Sequence, residues 1–382
     1  MKLYDVGSLP IDEKAETLDL GARTYISLLP SLTLSDNRAV AASRIFEQRS
    51  LRIFLDKIEA GLDIPNYPQL RDMNAMFLDT LNGIVKRESG YRRTGRIGLR
   101  QAARIPEVEV IRRNSSALRE KSGVEKIELK VCVTGPYTLA AVFDSRDPSM
   151  FRELGEALAK LLSDALFKKK DAEVSLVAID EPVFGLVSDP LLDYGSEGRE
   201  ALLDSWERIC YTALSRGVET AFHLHNTSDD LFWSVKSLRI VESHVGDPLY
   251  TSDHTRKMLE ERDKFLKASI CITIFDQLIV QWLQQKGIEE GKEGSQDALA
   301  QAWKSIQSGA LDPTSLLETS ELMLKRLKDT TGRFGVVRVP YAGPECGLRS
   351  FPNYDSAIKC LSRVSKAIKD FKRESKTLAR NS

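Results

Sequence analysis

The sequence predicts a single (β/α)8 barrel, because short β-rich runs alternate with longer runs of helical periodicity and because eight such β-rich runs can be counted. Several of these runs are almost continuously apolar, for example residues 175–179 and 335–339. Such runs are typical of parallel strands that are covered on both faces. Eight parallel strands favour a closed barrel over an open sheet, and one barrel can span all 382 residues.

The eight predicted strands are residues 2–9, 62–65, 126–134, 175–179, 219–225, 237–242, 266–274 and 335–340. Apolar residues at helical spacing predict crossover helices at residues 39–60, 148–172, 198–216 and 355–371. Residues 91–122 do not fit the alternation, and we interpret them as an excursion or small hairpin on the barrel. The last ten residues, 373–382, are polar and are expected to fray. No linker divides the chain, so residues 1–382 are predicted to form one domain.

The charges of the chain are balanced, with 55 basic and 55 acidic residues. The chain therefore has no net positive charge that would attract nucleic acid or an anionic membrane surface, and neither is an expected partner. A composition of 42% hydrophobic and 29% charged residues is typical of a soluble globular protein. The first ten residues lack the charged and apolar regions of a signal peptide, which favours a cytoplasmic location.

Polar side chains follow four of the predicted strands, at the points where those strands end. They are Asp180 and Glu181 after the fourth strand, His223 and His225 in the fifth, Glu242 and His244 at the sixth, and Glu345 and Cys346 after the eighth. Because the catalytic groups of a (β/α)8 barrel lie beyond the C-terminal ends of its strands, these positions are read first as functional.

His223 and His225 are two residues apart on a predicted strand, so their side chains point to the same side and can share one ion. The chain has only four histidines, and three of them lie at the ends of two adjacent strands. The alternative is that these histidines are polar rim residues bonded to loop backbone. Glu242 on the neighbouring strand could complete a metal site or could form a surface salt bridge.

Cys346 lies in a turn-rich segment after the last strand, where a thiol has little packing purpose, so a ligating or reactive role is favoured. Imidazole, carboxylate and thiolate together suit zinc, whereas magnesium or calcium would want oxygen ligands throughout. A thiol bound to zinc loses its proton near neutral pH and becomes a usable nucleophile. The sequence therefore predicts a zinc site that can activate a thiol.

Two further positions could contact a substrate. Asp180 and Glu181 are adjacent on a strand and point in different directions, so one could hold a substrate ammonium while the other bonds to backbone. Ser8 follows a glycine after the first strand, where a substrate could approach the backbone closely. The same Gly-Ser pair could also be simple turn chemistry.

Six segments together resemble the catalytic, C-terminal barrel of cobalamin-independent methionine synthase, in the superfamily that also contains uroporphyrinogen decarboxylase. The segments are Val-Gly-Ser at 6–8, Thr-Gly-Pro at 134–136, Ile-Asp-Glu-Pro at 179–182, Phe-His-Leu-His at 222–225, Ile-Val-Glu at 240–242 and Gly-Pro-Glu-Cys-Gly-Leu at 343–348. The resemblance covers nearly the whole chain. It is to the short, one-barrel archaeal-type members, and it implies zinc-dependent methyl transfer to the thiol of homocysteine to form methionine.

The resemblance implies a zinc site formed by His223, His225, Glu242 and Cys346. The second ligand, His225, stands where the family usually has cysteine. Replacing a thiolate by a neutral imidazole makes the site one unit less negative. We therefore expect weaker zinc binding and a less electron-rich substrate sulfur than in the family.

The same resemblance implies that Asp180, with Ser8 and Asp276, holds the ammonium and carboxylate of the amino acid. Asp180 and Asp276 are the expected catalytic residues, and Glu181 and Gln69 are further expected substrate-binding residues. Gln69 stands in a segment where the family has a Gly-Glu pair, and the histidine that the family has two residues after its aspartate is absent next to Asp276. Substrate or methyl donor could therefore differ.

The sequence leaves several alternatives open. The methyl donor could be a methylcorrinoid carrier protein or a methylated folate or pterin, and the acceptor could be coenzyme M or another small thiol. A metal-dependent hydrolase is a rival, because a His-x-His pair on a barrel strand also occurs in amidohydrolases. A non-catalytic module that binds a corrinoid protein is another.

Overall fold

The structure, a computed structural model, describes residues 1–28, 37–288 and 294–381. Its strands, in chain order, are β1 (Lys2–Leu3), β2 (Leu81–Arg87), β3 (Gly90–Leu99), β4 (Ile127–Thr134), β5 (Ala172–Glu181), β6 (Glu219–Leu224), β7 (Ile240–Glu242), β8 (Phe265–Cys271) and β9 (Tyr341–Pro344). Seven of them form a curled parallel sheet in the order β1-β9-β8-β7-β6-β5-β4, and β2 and β3 form a separate antiparallel hairpin. The fold is thus a mixed α/β fold around a parallel half-barrel.

Helices follow most strands of the parallel sheet. They are α1 (Ala15–Leu28), α2 (Asn37–Glu59), α3 (Ala75–Leu78), α4 (Pro106–Arg113), α5 (Ser115–Ser122), α6 (Pro136–Ala140), α7 (Pro148–Ala165), α8 (Glu197–Leu214), α9 (Asp253–Glu261), α10 (Phe275–Gln285), α11 (Ser295–Gln307), α12 (Ser320–Phe334) and α13 (Tyr354–Asn381). Within the described ranges, none of these helices is both long enough and apolar enough to cross a membrane.

The long crossover helices begin at capping residues that the sequence supplies. Asp147 accepts a hydrogen bond from the Met150 amide at the start of α7, where Pro148 occupies the first turn. Ser196 caps α8 in the same way through the amide of Arg199. Such caps satisfy backbone N–H groups that a helix leaves unpaired at its N-terminus. The four predicted crossover helices correspond to α2, α7, α8 and α13.

The predicted strands at residues 126–134, 175–179, 219–225, 237–242 and 266–274 are confirmed as β4 to β8. These strands are apolar because they are buried, as expected: β4 is buried from Leu129 to Thr134 and β5 from Leu176 to Glu181. The first predicted strand is much shorter than expected. Its ladder ends at Leu3, and beyond it Tyr4 makes an isolated bridge to Ile64.

The last predicted strand, residues 335–340, was placed too early in the chain. Val336–Arg338 form a 3₁₀ turn in which Val336 and Val337 are 54% and 81% exposed. The strand is β9 instead, where small residues allow close approach to β1. A Cβ atom added to Gly343 would lie 2.1 Å from the carbonyl oxygen of Tyr4. Because the two chain segments lie so close together, the small residues of β9 form the strand, and the more apolar run before it does not.

The predicted strand at residues 62–65 does not form a ladder, but it lies between the two edges of the parallel sheet. Isolated parallel bridges join Ile64 to Tyr4, next to β1, and Asn66 to Lys130 in β4. The amide of Lys130 donates to the carbonyl of Pro65 at 3.0 Å. This segment therefore contacts both edge strands through single bridges.

Buried lysines connect the same region to the turn after β1. The ammonium of Lys57 pairs with Asp5 at 2.7 Å and donates to the carbonyl oxygens of Gly7 at 2.8 Å and Asn66 at 3.1 Å. Lys130 donates to the backbone oxygen of Asp5 at 2.9 Å. Because these ammonium groups have several fixed acceptors, they hold the Gly7 turn in place at one end of the sheet.

The predicted excursion, residues 91–122, contains β3, α4 and α5. Its hairpin begins earlier than expected, at Leu81, and β3 packs against α7. At the other end of the chain α13 continues to Asn381. Residues 373–381, which the sequence indicated as a frayed tail, are therefore helical.

Candidate metal centre

A cavity of about 330 Å³ lies at the C-terminal ends of the parallel strands. It is lined by Val6, Ser8, Gln69, Arg71, Asp72, Met73, Asp180, Pro182, His223, His225, Cys346, Gly347 and Arg349. Six of the residues singled out from the sequence are in this set: Ser8, Gln69, Asp180, His223, His225 and Cys346. Glu181, Glu242 and Asp276 are not.

Four side chains bring possible metal-ligating atoms together at this cavity. One atom each from His223, His225, His244 and Cys346 lies within 4.8 Å of all the others. The Cys346 sulfur is 3.5 Å from Nε2 of His225, and the rings of His225 and His244 have centroids 4.1 Å apart. Imidazole nitrogens and a thiolate are ligands that suit zinc.

The sheet register explains why these residues meet. His223 in β6 is paired with Asp180 in β5 on one side and with Glu242 in β7 on the other, so three strands end side by side. Cys346 comes from the turn that follows β9. Glu345 fixes that turn, because its carboxylate accepts hydrogen bonds from the amides of Val245 at 2.8 Å and Thr273 at 2.9 Å.

Buried nitrogen atoms that lack a hydrogen-bond partner indicate whether this cluster fits a metal ion. His223 is 2% exposed, yet neither of its ring nitrogens has a hydrogen-bond partner in the described part of the chain, and Nε2 of His244 also has none there. An unsatisfied buried polar atom costs about 1–3 kcal/mol, so such atoms call for a partner. A bound cation would supply it, and the cluster therefore fits a zinc ion.

Burial also sets the protonation of the cluster. It lowers the pKa of His223 well below 6.5, and burial together with His244 lowers the pKa of His225 to about 4. The histidines are thus neutral at neutral pH, which is the form that binds metal. Burial raises the pKa of Cys346 to about 12, so this thiol needs a cation beside it to ionise near neutral pH.

Glu242, expected as a zinc ligand, lies beside the cluster and is engaged by lysines. Its carboxylate forms a direct ion pair with Lys267 and lies 3.9 Å from the ammonium of Lys130. All three side chains are completely buried. The nearest approach of Glu242 to His223 is 3.9 Å, to Nδ1. The fourth member of the cluster is His244, which the sequence pointed to only through the three histidines at adjacent strand ends.

Asp180 is a buried carboxylate at the cavity. It lines the cavity, is 3% exposed, and its Oδ1 has no hydrogen-bond partner in the described residues. Burial raises its pKa to about 6, although the ammonium of Lys130 opposes this shift. A cationic ligand group beside Asp180 would therefore find an ionised carboxylate at neutral pH.

Glu181 points away from the cavity, which corrects its expected role in substrate binding. Its carboxylate accepts hydrogen bonds from the amides of Tyr137 at 3.0 Å and Thr138 at 2.8 Å, from the hydroxyl of Thr138 at 2.6 Å and from Nε1 of Trp206 at 2.7 Å. Both oxygens are used by the protein, and the residue is completely buried. Glu181 therefore caps α6 and does not line the cavity, whereas its neighbour Asp180 does.

Asp276, expected as a catalytic residue, is exposed in the first turn of α10. Its carboxylate accepts a hydrogen bond from Nε1 of Trp303 at 2.7 Å. Asp276 is absent from the lining of the cavity. The structure therefore does not bring it to the cluster, because α10 starts beyond the rim.

Ser8 and Gln69, also predicted from the sequence, line the cavity. Ser8 is close to the Cys346 turn, since a Cβ atom added to Gly347 would be 2.1 Å from its Oγ. Gln69 donates from Nε2 to the sulfur of Cys132 at 2.8 Å. Two arginines of the lining, Arg71 and Arg349, were not predicted from the sequence. Their positions depend on contacts between distant segments, which no local pattern encodes.

Comparison with solved structures shows which fold the chain has. It is similar to a B12-independent methionine synthase from Shewanella sp. W3-18-1 in complex with selenomethionine, with a TM-score of 0.57, 15% sequence identity, and coverage of 97% of this chain and 98% of that one. It is also similar to a putative vitamin-B12-independent methionine synthase from Listeria monocytogenes, with a TM-score of 0.52, 14% identity and coverage of 96% of each chain. No protein-family model and no curated protein matches the sequence. At this identity the likeness establishes a shared fold.

Proposed function

We propose that this chain is a zinc-dependent methyltransferase that transfers a methyl group to the thiol of homocysteine and so forms methionine. The observation that carries the proposal is the cluster of His223, His225, His244 and Cys346 at one end of a cavity lined by Asp180. The shared fold with B12-independent methionine synthases supports it. The proposal includes a single-domain, cytoplasmic enzyme.

We further propose that the parallel sheet is a complete (β/α)8 barrel of the methionine synthase superfamily. The eighth strand position is then residues 62–66, which bridge to Tyr4 on one side and to Lys130 on the other. Catalytic groups at the C-terminal ends of strands are the arrangement that such barrels use.

The four side chains of the cluster would hold the zinc ion, with His244 in the place that the sequence assigned to Glu242. Burial keeps the three imidazoles neutral and able to donate electron pairs. When bound, zinc lowers the pKa of a thiol that coordinates to it, so that the acceptor reacts as a thiolate near neutral pH.

The residues of the cavity would orient the acceptor. Asp180 has an unpaired carboxylate oxygen that would receive the ammonium group, and Ser8 and Gln69 of the lining would contact other parts of the amino acid. The acceptor sulfur forms a bond to the methyl carbon while the bond from that carbon to the donor breaks, and the electron pair of that bond leaves with the donor. Correct placement of the two reactants can contribute about 7–11 kcal/mol to such a step.

The size of the cavity indicates which of the two reactants, acceptor or donor, it can hold. A volume of about 330 Å³ is near the lower limit of ligand pockets and suits a reactant the size of an amino acid. A methylcorrinoid, or a methylated folate or pterin, is the proposed donor, and it would present its methyl group from the cavity mouth.

Metal analysis and a methyl-transfer assay test this function. We expect about one zinc ion per chain after purification, and transfer of a methyl group from methylcobalamin or a methylated folate to homocysteine. Coenzyme M is assayed in parallel. Preferential methylation of that thiol would show that the acceptor is not homocysteine, whereas the proposed methyl transfer to a thiol would stand. A chain that binds no zinc and methylates neither thiol would refute the proposal.

A further inference from the structure

We propose that Arg71 and Arg349 bind an anionic group, a carboxylate or a sulfonate, of the thiol acceptor. This inference rests on the proposed function and names the class of acceptor that the cavity selects. Both arginines belong to the cavity lining. They are neighbours, because Nη1 of Arg349 lies 3.5 Å from the backbone oxygen of Arg71.

Arg71 is held rigidly by a buried carboxylate. Its Nε and Nη2 donate to the two oxygens of Glu107 at 2.8 and 3.0 Å, and both side chains are nearly or completely buried. This two-point contact fixes the plane of the guanidinium group. Nη1 makes no hydrogen bond to the part of the chain that the structure describes, and Arg71 belongs to the cavity lining.

Arg349 has a charge that the protein does not neutralise locally. It follows Cys346 by three residues, and its guanidinium is exposed at the mouth of the cavity. Within residues 1–28, 37–288 and 294–381, its only hydrogen bond is the contact with the backbone oxygen of Arg71. No carboxylate of those residues lies within ion-pair distance of it. A planar guanidinium in this state is suited to bind carboxylate or sulfonate through two parallel hydrogen bonds.

The cavity lining carries charges of both signs. Asp180 lines the cavity with an unpaired, buried oxygen, and the two arginines belong to the same lining. Asp72 also lines the cavity, but its Oδ1 accepts from the amides of Asn74 at 3.0 Å and Ala75 at 2.8 Å. A thiol that carries separate cationic and anionic groups therefore complements this cavity, and the anionic group belongs beside the arginines.

Binding of a matched series of thiols to the zinc-loaded protein tests this assignment without relying on turnover. The series is 3-mercaptopropionate, 2-mercaptoethanesulfonate, cysteamine and 2-mercaptoethanol, and the measurement is isothermal titration calorimetry. We expect at least one anionic thiol to bind about 10- to 100-fold more tightly than 2-mercaptoethanol, since hydrogen bonds to charged groups contribute about 1.5–3 kcal/mol. The first two compounds distinguish a carboxylate from a sulfonate.

Arg349→Gln should remove this preference for an anion while leaving the affinity for 2-mercaptoethanol and the zinc content unchanged. Arg349 is the better position to substitute because this residue is exposed, whereas removal of Arg71 would leave Glu107 buried and unpaired. Arg349→Lys should keep part of the preference, because the charge remains but the two-point geometry is lost. Arg338→Gln is the matched control, since Arg338 lies before β9 at the other end of the strand and pairs with Asp263.

The possible failures are distinguishable. If anionic and neutral thiols bind the wild type equally, or if Arg349→Gln keeps the full preference, the arginine assignment is overturned while the thiol-binding function stands. If no thiol binds to the zinc-loaded protein, the proposed function fails and the assignment of the anion-binding group falls with it.

Discussion

At the scale of single residues, Glu242 and His244 have different surroundings and therefore different expected roles. Glu242 is completely buried and forms an ion pair with Lys267, although its carboxylate oxygens make no hydrogen bond in the described residues, while Nε2 of His244 has neither kind of partner there. The buried ion pair neutralises Glu242 within the protein, which leaves it less available to a metal ion. His244 has no such competitor in the described residues.

We expect His244→Ala to weaken zinc binding and Glu242→Gln to retain it. In Glu242→Gln the ammonium of Lys267 stays buried without its partner, so the free energy of unfolding should fall by about 3–5 kcal/mol. Competition with a chromophoric chelator measures zinc affinity, and urea unfolding measures stability. Loss of zinc in Glu242→Gln with no loss in His244→Ala would return Glu242 to the ligand set.

Cys346 is the residue whose loss should have the largest effect on metal content. Cys346→Ala removes the thiolate from the cluster, and it is expected to abolish stoichiometric zinc binding and methyl transfer while the far-ultraviolet circular dichroism spectrum stays unchanged. Cys210→Ala is a suitable control, because Cys210 is buried in α8 away from the cavity lining. Retained zinc and activity in Cys346→Ala would refute the assignment.

Asp180 makes acceptor binding depend on pH in a defined direction. Its pKa is raised by burial to about 6, and only the ionised carboxylate attracts an ammonium group. Affinity for cysteamine should therefore be maximal above pH 6 and should fall as the pH drops below that value. The pKa of His225, about 4, is lower, so this imidazole stays neutral over most of the range. Calorimetric titrations between pH 5 and pH 8 should show the fall in wild type and not in Asp180→Asn.

At the scale of elements, the position of β9 shows how contact between strands overrides local composition. The valines before it form the more apolar run, but they lie exposed in a turn, whereas Ala342 and Gly343 enter the sheet. Gly343 is needed because a side chain would collide with the backbone of Tyr4. Strand periodicity alone cannot indicate such a contact, since it depends on the neighbouring strand.

We therefore expect Gly343→Ala to reduce the free energy of unfolding by about 1–3 kcal/mol, because the added methyl group forces β1 and β9 apart. Gly332→Ala in α12 is the matched control. It has nothing within 4 Å of the added Cβ, and it should stabilise the helix by about 0.5–1 kcal/mol. Urea unfolding of the two variants measures both effects. Equal stability of the two variants would contradict the close-contact explanation of β9.

At the scale of the whole molecule, the sequence predicts the parallel architecture well and the site in part. Continuous apolar runs identify five strands, and polar residues after those strands lead to Asp180, His223, His225 and Cys346. The sequence expected Glu242 in the metal cluster, and its buried ion pair with Lys267 could not be predicted because Lys267 comes from another strand. The orientation of Glu181 likewise depends on the start of α6, which packs on it only in the folded chain.

Zinc should contribute to the stability of the whole fold, because its proposed ligands come from β6, from the loop after β7 and from the turn after β9. A ligand that binds only the native state at about 100 times its dissociation constant stabilises a protein by about 2.7 kcal/mol. Prolonged dialysis against a chelator is therefore expected to lower the melting temperature in wild type. Cys346→Ala should show no such decrease, and an equal decrease in both proteins would contradict a structural contribution from the metal.

The ammonium groups of Lys57 and Lys130 have a consequence for engineering this protein. They hold the Gly7 turn, which lies between the cavity-lining residues Val6 and Ser8, from inside the molecule through carbonyl and carboxylate oxygens. Grafted or shortened surface loops would leave these anchors untouched. The cavity could thus be given new entrance loops while the side next to Ser8 keeps its shape.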